Sequence, residues 1–168
     1  MTKPFFIRLG IAVILAAACL GFSAYSQTQS TSQKGPATMH ATGPFEVKLT
    51  PQDDKIDPEL GRMTIDKQFH GDLEATSKGQ MLTGGSNPRV SAVYVAVEKV
   101  TGTLKGRKGT FILHHTGIMD QGKPDLSISV APGSGTGELA GIAGKMNIII
   151  AEGGKHSYDF EYTLPEAK

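Results

Sequence analysis

Residues 89–144 read RVSAVYVAVEKVTGTLKGRKGTFILHHTGIMDQGKPDLSISVAPGSGTGELAGIAG, and this stretch decides the fold. Val93, Val95 and Val97 alternate with Tyr94, Ala96 and Glu98, the period-two pattern of a strand. Thr110 to Thr116 repeats the pattern, with Phe111, Leu113 and His115 against Ile112 and His114. Between the two runs, Lys105-Gly106 supplies a two-residue loop with Gly second, which suits a primed hairpin turn. That turn sets the register: Leu104 faces Arg107, Val100 faces Phe111, Glu98 faces Leu113 and Ala96 faces His115. One face of the hairpin then carries Tyr94, Ala96, Glu98, Val100, Phe111, Leu113 and His115. Glu98 and His115 are diagonal neighbours on it, about 7 Å apart at the backbone and within reach of each other's side chains. The opposite face carries Val93, Val95, Val97 and Ile112 together with Lys99, Thr101, Thr110 and Thr116. A lysine is almost never buried unpaired, so the Glu98 face is expected to point inward.

Working outward, Leu126, Ile128 and Val130 alternate with Ser127 and Ser129 in a further strand. Pro132 to Gly144 is a glycine-rich corner. Met146 to Ala151 is apolar at nearly every position, which predicts a strand buried on both faces. Gly153-Gly154 turns the chain, and Tyr158, Phe160 and Tyr162 alternate with polar residues in the last strand. Upstream, Phe45, Val47 and Leu49 form a first strand, and Pro51 to Pro58 a polar loop. Met63, Ile65 and Phe69 belong to a second strand that continues past Leu73. Ser77-Lys78-Gly79 reads as a turn, Met81-Leu82 as the start of a short third strand, and Gly84 to Pro88 as a loop. No amphipathic helical stripe of useful length occurs in this region. About eight short strands with turn signals between them predict an all-β fold, a small antiparallel barrel or sandwich.

The N-terminus differs from the rest. Lys3 and Arg8 precede a mostly apolar run from Leu9 to Phe22, shorter than the ~20 residues of a membrane span. Ala24-Tyr25-Ser26 then offers small residues at the positions a signal peptidase reads. Residues 1–26 are therefore expected to be a cleaved secretory signal. Residues 27–37, rich in Ser, Thr and Gln, are a disordered linker, and residues 38–168 a single barrel domain. The protein is then exported, periplasmic or extracellular, with no membrane attachment after cleavage. Acylation of Cys19 is the rival reading, and an uncleaved anchor another. Cys19 is the only cysteine, so the mature chain has no disulfide framework and no thiolate chemistry. A net charge of +1, with acids and bases interspersed, argues against a nucleic-acid partner. The oligomeric state is not legible.

Two motifs invite chemical readings and fail them. In Pro132-Gly133-Ser134-Gly135-Thr136-Gly137-Glu138-Leu139-Ala140-Gly141, the phosphate-loop spacing is wrong. Gly144-Lys145 is followed by Met146, Leu139 occupies the first glycine position, and a strand follows where a helix should open. Ser134 also lacks the flanking glycines of a nucleophile elbow. The corner is expected to be structural, its glycines taking positive φ. Adjacent His114 and His115 point to opposite faces of a strand. With His40, His70 and His156 scattered, no metal site and no cofactor are expected.

Glu98 is the residue that stands out, a carboxylate on an inward apolar face with His115 as its nearest expected partner. The pair reads either as an internal salt bridge that fixes register or as an acid–base pair or ligand anchor in a cavity.

Several segments carry a resemblance. They are Phe69-His70-Gly71-Asp72-Leu73, Glu98 to Leu104, Gly106 to Phe111, His115, the corner from Pro132 to Leu139 with Gly141 and Gly144, and His156-Ser157-Tyr158. Together they resemble a bacterial family of unknown function whose members are similar to the allene oxide cyclase-like, or dirigent-like, barrel. The resemblance runs from about Thr38 to Leu164 and implies a closed, eight-stranded antiparallel β-barrel. It implies no established activity, and the cyclases' catalytic residues do not carry over. The first expectation for function is thus a barrel whose cavity binds a small, largely apolar molecule, with Tyr94, Glu98, Phe111, Leu113 and His115 as ligand-binding residues. A second is a cyclase or isomerase with Glu98 and His115 as catalytic acid–base groups. A third is a structural or interaction protein with a filled barrel.

Overall fold

The structure, a computed structural model, describes residues 35–53, 56–87 and 90–165. The expected signal segment and Cys19 lie outside them, as does the linker up to residue 34; Gly35 to Ala37 is exposed and has no regular structure.

The described chain is all β. Its strands are β1 (Met39–Pro51), β2 (Leu60–Phe69), β3 (Leu73–Asn87), β4 (Ser91–Leu104), β5 (Arg107–Asp120), β6 (Lys123–Val130), the two-residue β7 (Thr136–Gly137), β8 (Ala143–Ile150) and β9 (His156–Thr163), plus one short 3-10 turn at Glu152–Gly154. The eight long strands pair antiparallel in the order β4-β3-β2-β1-β9-β8-β6-β5, and a β4–β5 pairing closes the barrel. Closure abolishes the free sheet edges that an open sheet of this size would expose.

The organising hairpin has the expected register. Lys105 (φ 46) and Gly106 (φ 84) both take positive φ, as a type I′ turn requires. Leu104 then pairs with Arg107, Val100 with Phe111, Glu98 with Leu113 and Ala96 with His115. Val93, Val95 and Val97 face solvent, whereas Ala96, Glu98, Val100, Phe111, Leu113 and His115 are buried.

One half of the barrel is plugged. Phe69, Phe111, Tyr158, Phe160 and Tyr162 meet there with Leu73, Leu104 and Leu113. Phe111 stacks on Phe160 with centroids 5.6 Å apart, Phe160 on Tyr162 at 5.2 Å, and Phe69 meets Tyr158 edge-on at 5.6 Å. Each fully buried side chain of this size contributes roughly 1.5–3 kcal/mol, so the plug is the main store of hydrophobic stabilisation. The glycine corner caps this end, with Leu139 and Ile142 buried in the core. Gly137 takes φ 61 and pairs with Gly109 of β5. Gly135 is required for a different reason than expected: its φ is not positive, but a Cβ there would lie 2.1 Å from the Leu139 carbonyl oxygen. Ser134 Oγ accepts from Ile112 N and donates to the Ala131 carbonyl, so the corner's hydroxyl is spent on backbone.

Three strand expectations need correction. The second strand does not run past Leu73. The chain turns at His70-Gly71-Asp72, with Gly71 at φ 90 and its N–H donating to Glu74 Oε1 at 2.7 Å. The Tyr158 hydroxyl ties that turn to β9, accepting from Leu73 N at 2.8 Å and donating to the His70 carbonyl at 3.0 Å. Ser77-Lys78-Gly79 is not a turn but the middle of a continuous β3, laddered to β2 on one side and β4 on the other. Two-sided pairing there overrides the local turn preference of Ser and Gly. Finally, β8 is not buried on both faces. Met146 is buried and Ile148 half-buried on the inner face, but Ile149 points outward and is 52% exposed, and Ile150, on the inner face at the open end, is 65% exposed.

Candidate functional site

The unplugged half of the barrel is a cup of about 500 Å³, opening where β1, β3, β5 and β8 end. Its wall is apolar, with Phe45, Val47, Met63, Ile65, Met81 and Ile128 among the lining residues, and Leu126 and Ile150 toward the mouth. That volume falls within the ~300–1,000 Å³ usual for small-molecule sites.

A polar cluster separates cup from plug. It takes one residue from each of four neighbouring strands: Lys67 on β2, Ser77 on β3, Glu98 on β4 and His115 on β5. Lys67 pairs across the ladder with Ser77, and Gly79 with Glu98, so the side chains converge at one level of the barrel. A Cβ on Gly79 would lie 2.6 Å from Glu98 Cβ; glycine lets the carboxylate sit this close to β3. Lys67 Nζ donates to Glu98 Oε1 at 2.9 Å, and Ser77 Oγ donates to Oε2 at 3.1 Å. His115 Nε2 lies 3.3 Å from Oε1 but is not aligned to bond it. It is the one buried side-chain polar atom without a hydrogen-bond partner among the described residues. Glu98 is 0% exposed, His115 5% and Lys67 7%. The Lys67 ammonium also sits 5.4 Å and 5.7 Å from the ring centroids of Phe45 and Phe69, a cation–π arrangement.

Electrostatics assign Glu98's charge state. Burial alone would raise its pKa, but the imidazole of His115 and the ammonium of Lys67 more than offset this and hold it below the ordinary value. Glu98 is therefore a carboxylate at neutral pH, fully engaged with its neighbours. A general acid needs a raised pKa, and this carboxyl has the reverse. Tyr94, whose ring borders the cup, has its pKa raised by burial and by the Glu98 charge.

The structure brings Glu98 and His115 together as the register implies, but Lys67 is nearer to the carboxylate than His115 is. Of the five expected ligand residues, Tyr94 and His115 line the cup, while Glu98 lies behind its floor. Phe111 and Leu113 belong to the plug instead, too deep in the barrel to reach the cavity. Lys67 and Ser77 are not among the residues expected from sequence. The signal for Lys67 is the alternation Met63, Ile65, Lys67, Phe69, which puts the lysine on the inward face. His114 is exposed on the outer face, opposite in direction to His115.

Residues 41–162 match the family of proteins of unknown function DUF3224. The chain belongs to this family. A crystal structure of a DUF3224 protein of unknown function from Shewanella oneidensis MR-1 is 44% identical, covers 78% of this chain and 100% of its own, and superposes with a TM-score of 0.72. No curated protein matches. The whole polar cluster lies inside the DUF3224 span.

Proposed function

We propose that this DUF3224 barrel is a binding protein for a small, largely apolar molecule held in the cup. The observation that carries this reading is the asymmetry of the interior: one half is filled by aromatic side chains, the other is an apolar cavity of about 500 Å³ with a buried charged cluster at its floor. A barrel whose only task was structural would gain by filling that space, since packed side chains stabilise more than void. The binding is proposed to take place outside the cytoplasm, after removal of residues 1–26, on the strength of the basic front and short apolar run at the N-terminus.

The test is fluorescence titration with a neutral apolar dye, N-phenyl-1-naphthylamine, against the wild type and a Met81→Trp variant. Met81 lines the cup, and an indole there narrows it. Saturable binding by the wild type that the variant loses supports the proposal. Binding that survives Met81→Trp unchanged, or no binding at all, overturns it. N-terminal sequencing of the exported protein checks the export reading; a chain starting at Met1, or an acylated Cys19, contradicts it.

A further inference from the structure

The wall of the cup carries a feature that apolar character alone does not require. Tyr94 on β4 pairs across the ladder with Gly117 on β5, and both residues line the cavity. A Cβ on Gly117 would lie 2.0 Å from Tyr94 Cε1, 2.5 Å from Cδ1 and 2.6 Å from Cζ. The two flanking carbons are almost equally distant, and only 0.5 and 0.6 Å further off than Cε1. An approach within the ring plane would set them clearly further away, so the missing Cβ lies over the face of the ring. The phenol ring therefore lies flat on the inner surface of β5, in the space that a side chain at residue 117 would take. One ring face rests on backbone. The other is turned toward the lumen, since Tyr94 is half-buried and lines the cup.

The rest of the wall extends the same preference. Met63 and Met81 are cross-strand partners on β2 and β3, and Met119 stands two residues beyond Gly117 on β5; all three line the cup. Thioethers are polarizable and make favourable contacts with aromatic rings, often at the ring edge. His156 on β9, four strands round the barrel from β4, brings a second ring to the opposite wall. An aliphatic molecule gains from these groups only the burial that any apolar wall offers. A planar ring gains that burial together with stacking on Tyr94 and edge contacts to sulfur.

Resting on the binding function proposed above, we infer that the ligand is a planar aromatic or conjugated molecule, one ring of which stacks on the inner face of Tyr94. Gly117 is then a specificity-determining residue: without a side chain it lets the Tyr94 platform lie flat, and it contributes no side-chain contact itself.

The experiment is displacement of N-phenyl-1-naphthylamine by 2-naphthylmethanol and by its saturated counterpart, decahydro-2-naphthylmethanol. The two probes share a skeleton and a hydroxyl and differ in aromaticity. Their inhibition constants are compared as a ratio, so a general change in dye affinity cancels. The wild type is expected to prefer the aromatic probe, and the preference to fall about fivefold in Tyr94→Leu, the worth of one stacked ring pair. Tyr94→Leu keeps an apolar side chain at a half-buried position. Gly117→Ala lifts the ring off β5 while keeping the phenol, and is expected to lower the preference in the same direction. Either variant carries the test if the other does not fold. Preference of the wild type for the saturated probe, or a ratio unchanged in a folded variant, overturns the aromatic assignment while leaving the apolar cup intact. Failure of the dye itself to bind the wild type overturns the binding function and this inference together.

Discussion

Replacing Glu98 with Gln removes the negative partner of a lysine that has nowhere else to go. Lys67 is 7% exposed, its ammonium is 2.9 Å from the carboxylate, and its other neighbours are the faces of Phe45 and Phe69. With an effective dielectric of about 20, two unit charges at that separation attract by about 6 kcal/mol. The amide that replaces the carboxylate still accepts a hydrogen bond from the ammonium, which retains roughly 2 kcal/mol. The net loss is about 4 kcal/mol, in the range of ~3–5 kcal/mol typical when one member of a buried ion pair is removed. This exceeds what loss of the Glu98–His115 contact alone would cause, because Lys67 is the stronger partner. Urea unfolding at pH 7 measures it: with an m-value of ~1.5 kcal/mol/M, the midpoint falls by about 2.5 M. Lys67→Met combined with Glu98→Gln removes both charges, and is expected to be clearly more stable than Glu98→Gln alone. A loss below about 1 kcal/mol for Glu98→Gln, or a double variant less stable than the single, would refute the reasoning.

The same carboxylate makes stability depend on pH. Its folded pKa lies below the ordinary 4.5, so the unfolded chain takes up the proton first, and the stabilisation present above that value is lost as pH falls through the folded pKa. Unfolding curves of wild type and Glu98→Gln should therefore hold a constant gap above the ordinary 4.5 and converge as pH falls below it; a gap that stays constant in acid would contradict this. Tyr158→Phe removes the hydroxyl that bonds Leu73 N and the His70 carbonyl; a loss of about 1–3 kcal/mol in urea unfolding is expected, and a neutral result would show the turn to be held by other contacts. Because burial pushes that phenol up to about 12, a spectrophotometric titration of Tyr158→Phe should lack a step near that pH that the wild type shows. Gly137→Val places a branched residue at φ 61 and should cost about 1–3 kcal/mol by thermal unfolding. Calorimetric titration with ATP should show no binding by the wild type; measurable affinity would return the corner to the phosphate-loop reading.

The hairpin is legible in the sequence because its information is local. Lys105-Gly106 fixes a register, and a period of two then assigns every side chain on both strands to a face. The placement of Glu98 and His115 follows from that alone. Lys67 is harder to read because its partner lies 31 residues away, and a lysine on an apolar strand reads as outward until a buried carboxylate is known to face it. Ser77 hides behind a turn signal, since Ser-Lys-Gly favours a turn in isolation and only the ladders to β2 and β4 hold it extended. The half-empty interior is not legible at all. Phe69 lies at the end of β2, Phe111 near the start of β5 and Tyr162 near the end of β9, and only the antiparallel pairing brings these positions to the same end of the barrel. The apolar residues of the opposite end, such as Leu126 and Ile150, look like core in sequence and are 39% and 65% exposed at the mouth.

The central claim is that the cup holds a molecule. Non-denaturing mass spectrometry of the protein purified from its native source, without detergent, measures this directly. A complex heavier than the mature chain by the mass of one small molecule, extractable into organic solvent and absent from the Met81→Trp variant, is the predicted result. Wild-type protein that carries nothing, and takes up no apolar compound when incubated with an extract of its own source, contradicts the account.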